Sequence, residues 1–340
     1  MRTRMAEGYD ISRVIKGGWQ LDGDHGPINR AQALHDMAAF VEAGITTFDC
    51  ADIYTGVEAL IGAFRARYPS LADLVQIHTK CVPDLKMLKA IDAGYIERNI
   101  DRSLSRLGVE RLDLVQFHWW DYAVPGYLEA AGELLRLREK GKIAHIGVTN
   151  FDVPHLTEIL DAGVPVISIQ GQYSLLDERP QNGMMNLCRA NGIAFLSYGT
   201  VAGGFLSERW VGRPAPENEL TNRSLIKYRL IIEEFGGWDL FQELLQALQS
   251  VAVKHRCQIA TVASSMVLRR SHVSAVIVGA TNAAHLHAHK KIVELELDAD
   301  DLAEIQSVIV KRKGPHGDLF SLERDRSGPH GQIMRYDLNQ

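Results

Sequence analysis

Short apolar runs of strand length alternate with amphipathic stretches of helix length through most of the chain, and this alternation constrains the fold more than any other feature. Strand patterns occupy residues 14–17, 46–50, 75–80, 112–118, 143–149, 166–170, 194–198 and 273–278. Helix patterns follow them at 30–43, 57–68, 93–107, 125–140, 155–162, 181–190, 240–255 and 259–269, with another starting near residue 283. The helix over 125–140 is expected to carry Pro125 in its first turn, with Gly141 just past its end. The strand runs are nearly continuous in apolar residues, as strands are when helices cover both faces of a parallel sheet. Eight such units fit a closed (β/α)8 barrel of the TIM type. A doubly wound open sheet is the competitor, but it usually has fewer strands, and no Gly-x-Gly-x-x-Gly follows a strand here. One domain over residues 1–340 is expected, with an extra helix over 298–311 and a Gly-rich, charged tail over 314–340. In a barrel such extras often close over the mouth.

With 340 residues, 46% of them hydrophobic, the chain can bury a large core. A net charge of -5 without Lys/Arg blocks gives no footprint for nucleic acid or an anionic membrane, which leaves a small molecule as the expected partner. There is no run of 18 apolar residues, and residues 1–10 lack the apolar core of a signal peptide, so a cytoplasmic location is expected. Oligomeric state is left open. The four cysteines, Cys50, Cys81, Cys188 and Cys257, form no Cys-x-x-Cys pair and read as buried structural thiols. Cys50 and Cys81 should face away from the residues that precede them, because side chains alternate along a strand.

Those preceding residues matter. Asp49, Lys80, His118, the pair Thr149 and Asn150, Gln170, Tyr198 and the turn Gly279-Ala280-Thr281 all stand at carboxyl ends of strands. Active sites of such barrels lie at that end. Tyr54 follows Asp49 in Phe48-Asp49-Cys50-Ala51-Asp52-Ile53-Tyr54. A phenol is a poor acid at neutral pH unless a neighbouring cation favours its phenolate, and Lys80 can provide that cation while Asp49 keeps Lys80 charged. His118 could donate a hydrogen bond to a substrate oxygen. Together these groups suit reduction of a carbonyl by a hydride delivered from elsewhere. Of the neighbours Trp119 and Trp120 only one should enter the substrate pocket. Trp119 is assigned there, with Trp19, Tyr54 and His118.

Phe48-Asp49-x-Ala51-Asp52-x-Tyr54, Gly141-Lys142-Ile143-x-x-Ile146-Gly147-Val148-Thr149-Asn150-Phe151 and Ile277-x-Gly279-Ala280 closely resemble motifs of the aldo-keto reductase superfamily, in the same order and across nearly the whole chain. The resemblance implies Tyr54 as general acid, Asp49 and Lys80 as its tuning pair, and His118 as the residue that orients the carbonyl. It further implies that Thr149, Asn150 and Gln170 hold the nicotinamide carboxamide, with Asp49, Gly18 and Trp19 close by. Tyr198 would stack on the ring, and the loop after it, with Gly199, Thr200, Val201, Gly203 and Gly204, would fold over the pyrophosphate. Gly279, Ala280, Thr281, His285 and His289 would meet the adenosine end. Many members have Arg after the Gly-Ala turn for a 2'-phosphate, where this chain has Thr281. Arg223 in Thr221-Asn222-Arg223-Ser224-Leu225 could replace it, which makes NADP(H) the first expectation and NAD(H) the second. His285, His287 and His289 invite a metal reading, but no carboxylate or Cys accompanies them by spacing, and no metal is expected. A second function compatible with the resemblance is a nucleotide-binding regulatory subunit with little turnover. A metal-dependent barrel hydrolase is remote, since His-x-His is missing where the first strand ends in Lys16-Gly17-Gly18-Trp19.

Overall fold

The computed structural model describes residues 1–22, 28–216, 220 and 222–339. Thr221 of the 221–225 motif, residues 217–219 of the long connection and Gln340 of the tail lie outside them. The strands are β1 (Arg2–Ala6), β2 (Tyr9–Ser12), β3 (Val14–Gly17), β4 (Thr47–Asp49), β5 (Gln76–Cys81), β6 (Leu112–Phe117), β7 (Ile143–Thr149), β8 (Val166–Gln172), β9 (Ala194–Tyr198) and β10 (Val273–Gly279). Through the barrel the helices are α1 (Arg30–Glu42), α2 (Val57–Arg67), α3 (Pro69–Ala72), α4 (Ala93–Leu107), α5 (Tyr127–Glu139), α6 (Val153–Asp161) and α7 (Met184–Asn191). They continue with α8 (Arg223–Phe235), α9 (Trp238–Lys254), α10 (Ile259–Leu268), α11 (Leu286–Glu294), α12 (Ala299–Ile309), α13 (Ser321–Arg324) and α14 (Pro329–Gln332).

Strands β3 to β10 close into a barrel of eight parallel strands, in the order β10-β3-β4-β5-β6-β7-β8-β9. This is the (β/α)8 TIM barrel. Its register lines up the site: Gly17 lies beside Asp49, Lys80 beside Gln116, Thr149 beside Gln170, and Gln172 beside Tyr198. Outward-facing Phe48, Cys50, Ile77, Cys81, Val115 and Phe117 pack into the layer between sheet and helices. Cys50, Cys81 and Cys188 are buried, whereas Cys257 is only half-buried because it sits in the turn between α9 and α10. Among the described residues no helix is long and apolar enough to cross a membrane.

The structure adds elements that the pattern did not announce. The hairpin β1–β2 precedes the barrel, and its Met5, Tyr9 and Ile11 pack against the inward-facing Ile15, Leu114 and Leu196. Helix α5 starts at Tyr127, so Pro125 precedes it; Gly126, at φ +120, makes the turn into the helix. Inside the connection over 199–237, α8 is capped by Asn222, which accepts from the backbone N–H groups of Ser224 and Leu225. Beyond α12 the tail runs through α13 and α14 and returns to the barrel mouth.

Candidate active site

Asp49, Lys80 and His118 reach the mouth from three neighbouring strand ends. Lys80 Nζ donates to Asp49 Oδ2 at 2.7 Å and to the Cys50 carbonyl at 2.8 Å, and both side chains are only 5% exposed. Asp49 Oδ1 accepts from Gln116 Nε2 at 3.1 Å and from Gln170 Nε2 at 2.6 Å. Every oxygen of this buried carboxylate is thus engaged, as a buried charge requires. Tyr54 lies against the pair, with the Lys80 ammonium 5.0 Å from its ring centre and the Trp19 ring meeting it edge-on at 5.1 Å. Burial pushes the Tyr54 phenol up to about 12 although Lys80 pulls it down, so it holds its proton at neutral pH. Burial works against the Lys80 charge, but Asp49 and Tyr54 outweigh it and raise its pKa above the ordinary lysine value.

The His118 ring is anchored through one of its nitrogens. Its Nδ1 lies 3.0 Å from the Thr149 carbonyl, which can only accept, so the ring proton belongs on Nδ1. Burial, reinforced by the Arg324 guanidinium, lowers its pKa to about 3, and the imidazole is neutral. Its Nε2 has no hydrogen-bond partner among the described residues.

These residues line one cavity of about 480 Å³. At one end stand Trp19, Asp49, Tyr54, Lys80 and His118. Thr149, Asn150, Gln170 and Tyr198 follow along its wall, with Asn150 Oδ1 accepting from the Tyr198 hydroxyl at 2.9 Å. The loop residues Gly199, Thr200, Val201, Gly203 and Gly204, together with Arg223, Gly279, Ala280, Thr281 and His285, complete the lining. Three assigned residues stand elsewhere. Gly18 is required by the barrel itself: its N–H donates to the Asp49 carbonyl, and a Cβ there would lie 2.8 Å from that oxygen. His289 turns toward Phe40, with ring centres 5.8 Å apart, because it lies one helical turn beyond His285. Trp119 is fully buried behind the strand, its Nε1–H donating to the Asp121 and Val124 carbonyls. Trp120 takes the pocket position instead, since residues two apart share a face and His118 already points inward. His285 and His289 lie 6.5 Å apart by ring centres, and among the described residues no three His, Cys, Asp or Glu side chains are grouped to hold a metal ion.

Several residues of the site escaped the sequence reading. Gln116 bridges Asp49 and Gln170, and its position two residues before His118 on the same strand was the available signal. Gly199, at φ +78, packs against Tyr228, where a Cβ would meet the phenol oxygen. Lys227 of α8 lines the cavity with its ammonium 5.2 Å from the Tyr198 ring centre, paired at 3.5 Å with Glu323. From the tail, Phe320, Met334 and Leu338 also line the cavity. Arg324 then ties the tail down, donating to the carbonyls of Trp119, Trp120 and Asn150 and to the Tyr122 hydroxyl. Its neighbour Glu323 accepts from Arg179, which also holds Asp177, all three side chains being at most 1% exposed.

The chain's buried donors and acceptors around a stacking tyrosine fit a nicotinamide, and Arg223 with the Gly199–Gly204 loop fits a pyrophosphate. The family model of the aldo/keto reductase family matches residues 13–310. The NADH-specific methylglyoxal reductase of Escherichia coli (strain K12) is 26% identical over 313 residues, covering 85% of this chain and 92% of that protein. The probable aldo-keto reductase 1 of Glycine max is 28% identical over 308 residues, covering 88% and 86%. Among solved structures, the glycerol dehydrogenase of Gluconobacter oxydans superposes with a TM-score of 0.76 at 22% identity, over 91% of this chain and 95% of that one, which supports the fold. On the family match the chain belongs to the aldo/keto reductase family of oxidoreductases.

Proposed function

We propose that the protein reduces aldehyde or ketone carbonyls to alcohols, reversibly, with a nicotinamide cofactor and with Tyr54 as the proton donor. The observation that carries this reading is the buried Asp49–Lys80 pair against the Tyr54 ring, at the end of the same cavity that Asn150, Gln170 and Tyr198 line. When bound, the nicotinamide supplies the hydride to the carbonyl carbon. Tyr54, protonated in its buried setting, gives its proton to the carbonyl oxygen, and the phenolate it leaves is stabilised by the Lys80 ammonium. Asp49 keeps Lys80 charged and, through Gln116 and Gln170, fixes it relative to the wall where the cofactor would lie. In the reverse direction the phenolate takes the proton back from the alcohol.

Cofactor preference belongs to the same proposal. Arg223 lies 5.4 Å over the Trp19 ring, close to Tyr54, a position suited to the pyrophosphate. The turn after β10 adds Thr281, Asn282 and His285 to the lining. None of these three side chains is a guanidinium or ammonium, and we infer that NADPH and NADH both serve, with NADPH favoured only modestly. A cytoplasmic enzyme acting as one domain fits the four free cysteines and the tail's part in the site. The test is to titrate cofactor-free protein with NADPH and NADH by tryptophan fluorescence, then to offer aldehydes and ketones to each complex. Binding with turnover, and efficiencies for the two cofactors within about tenfold, is the expected result. Tight binding without turnover of any carbonyl would favour a nucleotide-binding regulatory role.

A further inference from the structure

Among the described residues two lysines line the cavity, and the proposed reaction uses only Lys80. Its Nζ lies 2.7 Å from an Asp49 oxygen and 2.8 Å from the Cys50 carbonyl. Burial opposes that charge, yet Asp49 and Tyr54 hold its pKa above the ordinary lysine value. Lys227 is placed otherwise. Its carboxylate partner, Glu323 Oε1, lies 3.5 Å away, and Arg179 already holds both oxygens of that carboxylate at 3.0 and 3.2 Å. Three aromatic rings crowd the same ammonium, with the centres of Tyr198, Tyr228 and Phe320 at 5.2, 5.6 and 5.8 Å from Nζ. The side chain is still 17% exposed. Burial lowers the Lys227 pKa below the ordinary lysine value although Glu323 pulls it up. An ammonium so placed releases its proton more readily than one at the surface, and the free amine is a nucleophile. Lys16 is the opposite case. Burial lowers its pKa to about 8, but it is only 4% exposed and packs over the Phe40 ring, apart from the cavity lining. Of these three lysines, only Lys227 combines access with a weakly held proton.

We propose that Lys227 is a covalent modification site for aldehydes, which it takes up as an imine inside the cavity, beside Tyr198 and Phe320. The proposal does not require Tyr54 to act as proton donor. The step balances without a co-reactant. The neutral amine attacks the aldehyde carbon, the C–O bond of the resulting carbinolamine breaks, and the oxygen leaves with the two amine protons as water. Nothing is oxidised or reduced, and water reverses the step. An aromatic aldehyde suits the three rings around the amine. Ketones, with a more hindered carbonyl carbon, condense less readily, so the site separates the two classes of carbonyl compound.

The test is to incubate the full-length protein, without nicotinamide cofactor, with benzaldehyde and sodium cyanoborohydride near neutral pH. The borohydride supplies the hydride that fixes an imine as a secondary amine, and peptide mass spectrometry follows each lysine. Lys227 should be labelled at least about tenfold faster than any surface lysine, because more of its amine is free and the cavity gathers the aldehyde around it. Lys80 should stay unlabelled for want of a free amine, and Lys16 for want of access. Acetophenone in place of benzaldehyde should label Lys227 at least about tenfold more slowly. In Lys227→Gln the fast site should vanish while the surface lysines react as before. Labelling of Lys227 no faster than the surface lysines, or slower than Lys80, overturns the proposal. The native map decides by itself, so a Lys227→Gln protein that does not fold leaves the decision intact. No reduced cofactor is added, so failure here and failure of carbonyl reduction are read in separate experiments.

Discussion

The strand ends and the C-terminal tail build the two sides of the same cavity by different means. Asp49, Lys80 and His118 are placed by sheet register, each within one residue of the end of its strand. Phe320, Glu323 and Arg324 are placed by contacts with residues far away in the chain: Arg324 reaches the Trp119 and Trp120 carbonyls, and Glu323 reaches Arg179. The barrel thus supplies the groups that could do chemistry, while the tail encloses them and fixes the loops that follow β6 and β7. The comparison predicts that changes at the strand ends abolish turnover, whereas changes in the tail weaken it by degrees.

The largest effect in that comparison belongs to Lys80→Met. It strands a buried Asp49 and removes the charge that stabilises the phenolate, so kcat should fall about 100- to 1,000-fold in steady-state assays. Breaking a buried pair also costs about 3–5 kcal/mol of stability, to be read from denaturant midpoints. An Arg324→Ala protein should keep its fold and lose about 10- to 100-fold in kcat/KM, because the Trp119, Trp120 and Asn150 carbonyls lose their common anchor. Partial recovery on adding guanidinium would mark the tail's contribution as positional, and the absence of any loss would dissolve the distinction between the two regions.

How far the sequence could be read follows the same division. Period and strand-end polarity are local signals, and they located the barrel, the Asp49–Lys80 pair, Tyr54 and the wall residues Thr149, Asn150, Gln170 and Tyr198. The alternation rule was also sufficient to choose Trp120 over Trp119, because His118 and Trp120 are two apart; the choice of Trp119 applied the rule without its parity. Helix α8 was missed although it carries the same kind of signal, Tyr228, Ile231, Ile232 and Phe235 at helical spacing on one buried face. The tail carries no such signal. Helices α13 and α14 have four residues each, too few to show a period, and nothing near Glu323 or Arg324 in sequence announces Arg179 or the Trp120 carbonyl as a partner. The hydrogen-bonding sense of His118 was equally hidden, since it depends on the backbone oxygen of a neighbouring strand.

Acid stability separates the regions more gently. His118 and His78 are both held neutral by burial, with pKa values lowered from 6.5 to about 3. Between those values the unfolded chain binds the extra protons, so their contribution is complete above pH 6.5 and is lost as the pH falls toward 3. The slope is about 1.4 kcal/mol per pH unit for each histidine, measurable by urea unfolding at stepped pH. In the tail, burial raises the Glu323 carboxyl, but Arg179 and Lys227 outweigh it and bring the group from 4.5 down to about 2. Its contribution is therefore lost only below pH 4.5, later in the titration than that of the histidines. The smallest functional effect belongs to Trp119→Phe, which loses two buried hydrogen bonds behind the strand and should cost about 1–3 kcal/mol of stability while kcat/KM stays within about threefold.

The central claim, that a phenol tuned by a buried lysine–carboxylate pair delivers the proton, is met most directly by Tyr54→Phe. Cofactor affinity should stay within about twofold, and carbonyl reduction should fall about 1,000-fold or more. Turnover within about tenfold of the native protein, at unchanged cofactor affinity, would contradict the account.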